Sequence, residues 1–142
     1  MTGAVLHAQA ERYKKNRPEL RPGYTVRVHE RIKEGEKERV QIFEGLVIGV
    51  HQGSVPTDTT FTVRRIASGM GVERIFSLHS PMVEKIDVKK VAKVRRAKLN
   101  FLRGRAGKSA RLSERFTSAE EFAVAVAKEE EAPKQETAVV SE

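Results

Sequence analysis

The densest group of chemically active side chains lies between Lys89 and Arg111, where basic residues accumulate without a single acid. Each lysine or arginine there can neutralise a phosphate and release counterions, and arginine can grip a phosphate with two hydrogen bonds. A merely solvated basic face is disfavoured, because so many like charges repel one another. The stretch therefore predicts a polyanionic partner. The predicted contact residues are Lys89, Lys90, Lys93, Arg95, Arg96, Lys98, Arg103, Arg105, Lys108 and Arg111.

A second group of cations, Arg64, Arg65 and Arg74, flanks a tight turn that the sequence SGMG predicts. These side chains can form a second basic patch that contacts nucleic acid. Arg74 can equally form a surface ion pair with its neighbour Glu73, which would contribute little stability, and both interpretations stay open. Phe101 can stack on a base, although a role as an apolar core anchor is favoured.

The sequence offers no arrangement of residues suited to catalysis or metal binding. His7, His29, His51 and His79 lack the spacing of metal ligands such as HExxH, and cysteine is absent. Glu44 lies inside an apolar strand and, if buried, requires a hydrogen-bonding or cationic partner. We therefore predict no catalytic residue, no metal, no cofactor and no small-molecule substrate.

Charge divides the chain into a basic body and an acidic tail. Residues 1–112 hold 24 lysines and arginines against 11 acids, whereas residues 113–142 hold 3 against 8. This asymmetry points to a polyanionic partner for the body. The N-terminus lacks the apolar core of a signal peptide, and no apolar stretch is long enough to span a bilayer. We predict a cytoplasmic protein without membrane contact.

Hydrophobic periodicity predicts a mostly β protein. Residues 1–20 contain a short amphipathic helix that ends before Pro18. Residues 21–88 alternate apolar and polar side chains in about five strands separated by turn signals, a pattern typical of a small all-β barrel. Gly45 and Gly49 interrupt one of these strands, which predicts bulges or sharp bends.

The last two parts of the chain differ from the barrel in composition. Residues 89–116 form a basic extension in which apolar side chains are interleaved with cations. Residues 117–142 form an acidic tail, and the capping-box spacing of Ser118 and Glu121 predicts a helix at its start. We expect the remainder of the tail to be disordered.

Six blocks of sequence occur in an order that is specific to one protein family. They are RPG at Arg21–Gly23, FEGLVI at Phe43–Ile48, FTVRRIASGMGVERIF at Phe61–Phe76, HSP at His79–Pro81, KVRRAKLNFLR at Lys93–Arg103 and GKSARL at Gly107–Leu112. In this order, and over roughly residues 4–116, the chain resembles the bacterial large-subunit ribosomal protein family "L-nineteen".

The resemblance implies an SH3-like β-barrel with a short N-terminal helix and an extended basic C-terminal arm. It implies binding to large-subunit ribosomal RNA, a position at the subunit interface next to ribosomal protein "L-fourteen", and bridges to small-subunit ribosomal RNA. It also implies a ribosomal location, no catalytic activity and no obligatory cofactor. An RNA-contact role carries over as a group to Lys93, Arg95, Arg96, Lys98, Arg103, Arg105, Lys108 and Arg111.

Two other functions remain as alternatives. One is a free-standing nucleic-acid chaperone or transcription-associated module with an SH3-like fold, which a moderate salt wash would remove from the large subunit. The other is an RNA-modifying enzyme, which needs an acid–base or nucleophile constellation that this sequence lacks.

Overall fold

The computed structural model describes residues 2–105, 107–110 and 112 of the chain. Helix α1 covers Thr2–Tyr13, and five strands follow: β1 Tyr24–Glu34, β2 Lys37–His51, β3 Thr60–Ala67, β4 Met70–Ser77 and β5 Val83–Val91. Three short 3-10 helices cover Pro56–Asp58, Asn100–Gly104 and Gly107–Ala110. The mostly β class and the N-terminal helix are thus confirmed. The predicted acidic tail, residues 117–142, lies outside the described residues.

Two tight hairpins set the register of the central strands. The loop between β1 and β2 contains Gly35 with a φ of 62°, a left-handed conformation that glycine adopts readily. The loop between β3 and β4 consists of Ser68 and Gly69, with φ angles of 51° and 76°. Positive φ at both positions of a two-residue loop matches a type I′ turn, whose twist suits paired strands. The turn predicted from SGMG is confirmed.

The five antiparallel strands form one curled sheet in the order β4-β3-β2-β1-β5, so β4 and β5 occupy opposite edges. In a flat sheet these edges would lie roughly 19 Å apart, at about 4.8 Å per strand. The linker between them turns twice, with Ser80 N–H donating to Ser77 O and Val83 N–H donating to Ser80 O, both at 3.3 Å. Each turn spans less than about 7 Å, so the sheet must curl until its edges approach.

The curled sheet does not close into the barrel that the sequence predicted. Among the described strands no ladder joins β4 to β5. Instead, Arg74 on β4 reaches across to Glu30 on β1, with 2.7 Å between guanidinium and carboxylate. The closed-barrel prediction is wrong because charged side chains, rather than paired backbones, occupy the gap. The fold is nevertheless mostly β and is built on one antiparallel sheet.

The main core lies on the concave face of the sheet and draws side chains from all five strands. Phe76 packs against Phe43 and Phe61, with ring centroids 5.8 and 5.6 Å apart. The alternation predicted for β1 is confirmed over its first half, since Tyr24, Val26 and Val28 point into this core. The members of the cluster are Leu20, Tyr24, Val26, Val28, Phe43, Val47, Phe61, Val63, Phe76, Val83, Ile86 and Val88.

The two glycines of β2 serve different purposes. The register between β2 and β3 shifts between Val47 and Gly49, which confirms the bulge predicted there. No such shift occurs at Gly45, where an added Cβ would lie 2.6 Å from the carbonyl oxygen of Arg64 and 2.8 Å from Val63 Cγ1. Gly45 is therefore required for the close approach of β3 rather than for a bend.

Helix α1 is shorter than predicted and buries little of its surface. It ends at Tyr13, four residues before the expected limit at Arg17, because Arg17 donates hydrogen bonds to the carbonyls of Val83 and Glu84 and so fixes the following segment to the sheet. Of the apolar stripe only Ala10 is buried. Among the described residues, no helix is both long and apolar enough to cross a membrane.

Replacing Gly45 with alanine tests the close approach of β3. We expect Gly45→Ala to destabilise the fold by about 1–3 kcal/mol, because backbone atoms of β3 must shift to admit the methyl group. The matched control is Gly49→Ala on the same strand, where the new Cβ meets only Lys98 Cγ at 3.7 Å. Urea unfolding of both variants measures the difference, and equal midpoints for the two would contradict this account.

Candidate nucleic-acid interface

The basic segment, residues 92–112, crosses the outer face of β2 after leaving β5. The backbone N–H of Leu99 donates to Ile48 O at 2.7 Å, and Lys98 forms an isolated antiparallel bridge with Gly49. These contacts use backbone groups of β2 next to its bulge. The segment is therefore held against the sheet, and the extended arm that the resemblance implied is not what its described part forms.

A second apolar cluster explains why this highly charged segment stays on the sheet. Ile48 from β2 is buried against Leu99 and Leu102 from the basic segment, and all three are at most 4% exposed. Four partly buried side chains pack around them: Leu46, Val94, Phe101 and Leu112. The apolar residues interleaved with the cations are thus anchors, and burying each leucine is worth about 1.5–3 kcal/mol.

The cations between these anchors project into solvent. Because β5 continues to Val91, Lys89 and Lys90 lie on a strand rather than in the extension. Nine of the ten predicted contact residues of this stretch are exposed, and the tenth, Arg111, lies outside the described residues. The exposed ones are Lys89, Lys90, Lys93, Arg95, Arg96, Lys98, Arg103, Arg105 and Lys108.

A carboxylate on the outer face of β4 ties the basic segment to the sheet. Arg103 donates to both oxygens of Glu73, at 2.7 and 2.8 Å, and Arg64 on β3 donates to the same carboxylate at 3.2 Å. The hydrogen bond from Arg103 lowers the pKa of Glu73, burial opposes that shift, and Arg64 lowers the pKa further. The same bond raises the pKa of Arg103. Both predicted contact residues therefore also hold the fold together.

The second predicted patch is divided between the two faces of the sheet. Arg65 and Arg74 converge on the ring of Phe43, with their guanidinium carbons 5.3 and 5.6 Å from its centroid. Arg64 instead lies on the opposite face beside Glu73. Arg74 does form an ion pair, but its partner is Glu30 across the sheet rather than the adjacent Glu73.

Phe101 belongs to the second apolar cluster, as favoured from the sequence. Its ring is partly buried and is covered by Arg96 and Arg105, whose guanidinium carbons lie 5.5 and 4.8 Å from the ring centroid. Cation–π contacts of this kind hold arginines in place without neutralising them. The ring thus orients two of the exposed cations.

The remaining polar residues singled out from the sequence have structural partners. Glu44 is exposed and pairs with Arg27 at 2.7 Å. His29 lies 2.9 Å from Asp87. Burial favours a raised pKa for Asp87, but hydrogen bonds from Lys85 and His29 lower it overall. Within the described part of the chain, no three histidine or acidic side chains cluster closely enough to hold a metal ion.

Sequence reasoning misses two features of how charged residues are arranged on the fold. Glu73 anchors a residue thirty positions away, and local spacing carries no signal for such a pair. Lys14, Lys15 and Arg17 are left out of the predicted contact residues, although they lie beyond the end of α1. The available signal is the run KKNR directly before Pro18, because proline separates these cations from any continuing helix.

Comparison with known proteins identifies the family. A family model described as ribosomal protein L19 matches residues 4–115. The chain belongs to this family. A curated relative, large ribosomal subunit protein bL19 of Anaeromyxobacter sp. (strain Fw109-5), is 50% identical over 109 residues, which cover 77% of this chain and 81% of the relative. The resemblance drawn from the order of the motifs is confirmed.

Membership in the L19 family makes the chain a structural ribosomal protein rather than a member of a known enzyme family. The match extends across the whole basic segment to residue 115. The ion pairs of Glu73 with Arg64 and Arg103 are called the Glu73 node below. The curled sheet, the apolar anchors and this node therefore all lie within the part of the chain that defines the family.

The Glu73 node predicts a specific dependence of stability on pH. Its pKa in the folded chain lies below the ordinary value of 4.5, so its contribution is present above that pH and is lost as the pH falls below it. Glu73→Gln should therefore lower the unfolding midpoint near neutral pH, and the difference from the parent chain should shrink toward about pH 3. Urea unfolding at several pH values measures this, with the exposed hairpin variant Glu36→Gln as control. A difference that is constant over this range would argue against the node.

The apolar anchors predict how the basic segment responds to truncation of a side chain. Leu99→Ala should destabilise the packing of the basic segment on the sheet by about 2–5 kcal/mol, because it leaves a cavity against Ile48. Trypsin should then cut the basic segment much faster, since its lysines and arginines become accessible when it detaches. Leu6→Ala, at a residue 54% exposed on α1, is the matched control. Equal cleavage rates for both variants would show that Leu99 is not the anchor.

Proposed function

We propose that this chain is a structural component of the large ribosomal subunit that binds ribosomal RNA through its basic segment. The observation that carries the proposal is the row of exposed cations fixed on the outer face of the sheet. The name of the 50% identical relative, a large ribosomal subunit protein, supports the choice of subunit. RNA is the polyanion that a structural ribosomal protein meets.

The fixation of these cations supports a role in binding. The backbone bond of Leu99 to Ile48, the apolar cluster and the Glu73 node together order the segment before any RNA is present. A partner then meets charges already in place, and less conformational entropy is lost on binding. Fixed cations contacting phosphates would set the register of the protein on the RNA.

The cations differ in how available they are for phosphate. Within the described residues, Lys93, Arg95 and Lys98 have no carboxylate partner, so their full charge faces solvent. Arg103 already shares Glu73, and a phosphate must compete with that carboxylate. We infer that the lysines and Arg95 provide most of the phosphate contacts, while Arg103 positions the segment. For Arg64 and Arg74, whose carboxylate partners belong to the sheet, an RNA contact stays a prediction.

Membership in the family supports a more specific proposal. We propose that the protein acts in the cytoplasm at the interface between the two subunits. There it would lie next to ribosomal protein "L-fourteen" and contribute to bridges that contact small-subunit ribosomal RNA. The curled sheet is small and its outer face carries the cations, which is suited to filling a space between RNA helices rather than to enclosing a substrate.

Neutralising two lysines of the basic segment tests this function. Lys93→Gln with Lys98→Gln should weaken binding to a large-subunit ribosomal RNA fragment and reduce the slope of log affinity against log salt by roughly 1.5–2. Lys33→Gln with Lys37→Gln, at the exposed tip of the β1–β2 hairpin, is the matched control with the same charge change. Fluorescence anisotropy across a salt series measures both, and an affinity independent of salt would falsify the proposal.

Cosedimentation separates a structural component from a free-standing nucleic-acid chaperone. After a moderate salt wash, the chain should stay with intact large subunits, because a built-in protein is released only when its RNA site unfolds. A chaperone held by non-specific electrostatic contacts would be lost in the same wash. Loss of the chain with the subunits otherwise intact would favour the chaperone.

A further inference from the structure

A cleft of about 710 Å³ lies at the other side of the sheet from the basic segment's anchors, between residues 14–20 and the ends of β2, β3 and β4. None of its lining residues belongs to the predicted RNA-contact set. Its volume falls within the range of roughly 300–1,000 Å³ typical of small-molecule sites. The chemistry of its rim, its floor and its polar corner points to one class of ligand.

The rim of the cleft is cationic and held in place by the backbone. Lys15 Nζ donates to Ser80 O at 3.4 Å, and the guanidinium of Arg17 donates to the carbonyls of Val83 and Glu84. Lys14 lies beside them and is exposed. The carbonyl oxygen of Ser80 orients Lys15 without cancelling its charge. The one carboxylate in the lining, Glu19, forms an ion pair with Arg21 at 2.9 Å.

This concentration of positive charge is unfavourable without an anion. Burial lowers the pKa of Lys15, and repulsion from Arg17 and Arg31 lowers it further. A phosphate placed near the rim would offset that repulsion, because an opposite charge favours the protonated amine. The rim therefore fits an anionic ligand, which excludes a purely apolar occupant.

The floor of the cleft is apolar. Val50 and Leu78 are partly buried and pack against the main core, and the buried Phe61 also lines the cleft. Asn16 and Gln52 stand at the exposed margin, and their amides can both donate and accept hydrogen bonds. A flat apolar group with a polar edge, such as a nucleobase, matches this floor and its margin.

His79 supplies a hydrogen-bond donor at the polar corner. Its Nδ1 lies 3.1 Å from the backbone nitrogen of Lys15 and accepts that N–H. Burial lowers the pKa of His79, and the charges of Arg17 and Lys14 lower it further, so the ring is neutral at neutral pH. With Nδ1 accepting, the proton resides on Nε2, which can donate to a base or ribose oxygen.

We propose that this cleft binds one unpaired RNA nucleotide, with its base against Val50 and Leu78 and its phosphate beside Lys14 and Lys15. The inference rests on the proposed RNA-binding function and extends it to a second site with different chemistry. The basic segment recognises the phosphate backbone, whereas this cleft recognises a base together with its phosphate.

Mononucleotides test the base requirement directly. Uridine and adenosine 5′-monophosphate should shift the NMR signals of the Leu78 and Val50 methyl groups of the full chain in a saturable way. Ribose 5-phosphate, which keeps the phosphate and sugar but lacks the base, is the matched ligand and should leave those methyl signals in place. Equal methyl shifts from ribose 5-phosphate would overturn the proposal, because the base would then contribute nothing.

Photo-crosslinking tests the site with RNA itself. A single-stranded oligouridylate carrying 4-thiouridine should crosslink to peptides containing residues 50–61 or 77–80, in addition to the basic segment. Lys14→Gln with Gln52→Ala should reduce those crosslinks about tenfold, since both side chains are exposed and the fold is unaffected. Lys33→Gln with Gln41→Ala, an equivalent exposed pair on the β1–β2 hairpin, should leave them unchanged.

The outcomes separate this proposal from the function on which it rests. If the chain binds RNA but crosslinks only within residues 89–108, the cleft proposal fails and the proposed function stands. If the chain binds no ribosomal RNA at all, both fail. If a polyglutamate peptide displaces the cleft crosslinks as well as unlabelled oligouridylate does, the cleft recognises acidic chains and the nucleotide assignment is overturned.

Discussion

The packing of Leu99 and Leu102 against Ile48 is the interaction on which the functional surface depends. The segment that carries these leucines is rich in cations that repel one another, and alone it would stay extended in water. In bulk water a pair of like charges costs about 1 kcal/mol at 4 Å, and less at greater distance. Each buried leucine contributes about 1.5–3 kcal/mol, so a few anchors are enough to hold the charged segment on the sheet.

The sheet itself is organised to accept this segment on its convex face. Val47 and Ile48 are adjacent on β2 and point to opposite faces, so Val47 faces the main core while Ile48 is buried beneath the basic segment. Glu73 then adds an electrostatic restraint from β4. Backbone, apolar and ionic contacts thus act at different points along the segment. Such a surface needs little further ordering when a polyanion binds.

The sequence predicts the features that depend on neighbouring residues. Alternation identifies β1, the glycine-containing turns identify both hairpins, and the charge run identifies the exposed cations. It does not predict the open sheet, because closure depends on how two distant edges meet, and there Arg74 pairs with Glu30. Nor does it predict the ion pair of Arg103 with Glu73, since no local pattern links residues so far apart. Propensity and spacing reflect residues that are close in sequence, whereas the site is formed by residues that folding brings together from distant parts of the chain.

The chain uses two ways to hold a cation still, and they have different consequences for binding. Arg103 is held by the carboxylate of Glu73, which cancels much of its charge. Lys15 is oriented by a backbone carbonyl, which carries only partial charge and leaves the ammonium attractive to phosphate. A carboxylate partner therefore suits a residue that holds one segment of the fold against another. A carbonyl partner suits a residue that binds an anionic ligand. By this criterion the rim of the cleft resembles a binding site more closely than the Glu73 node does.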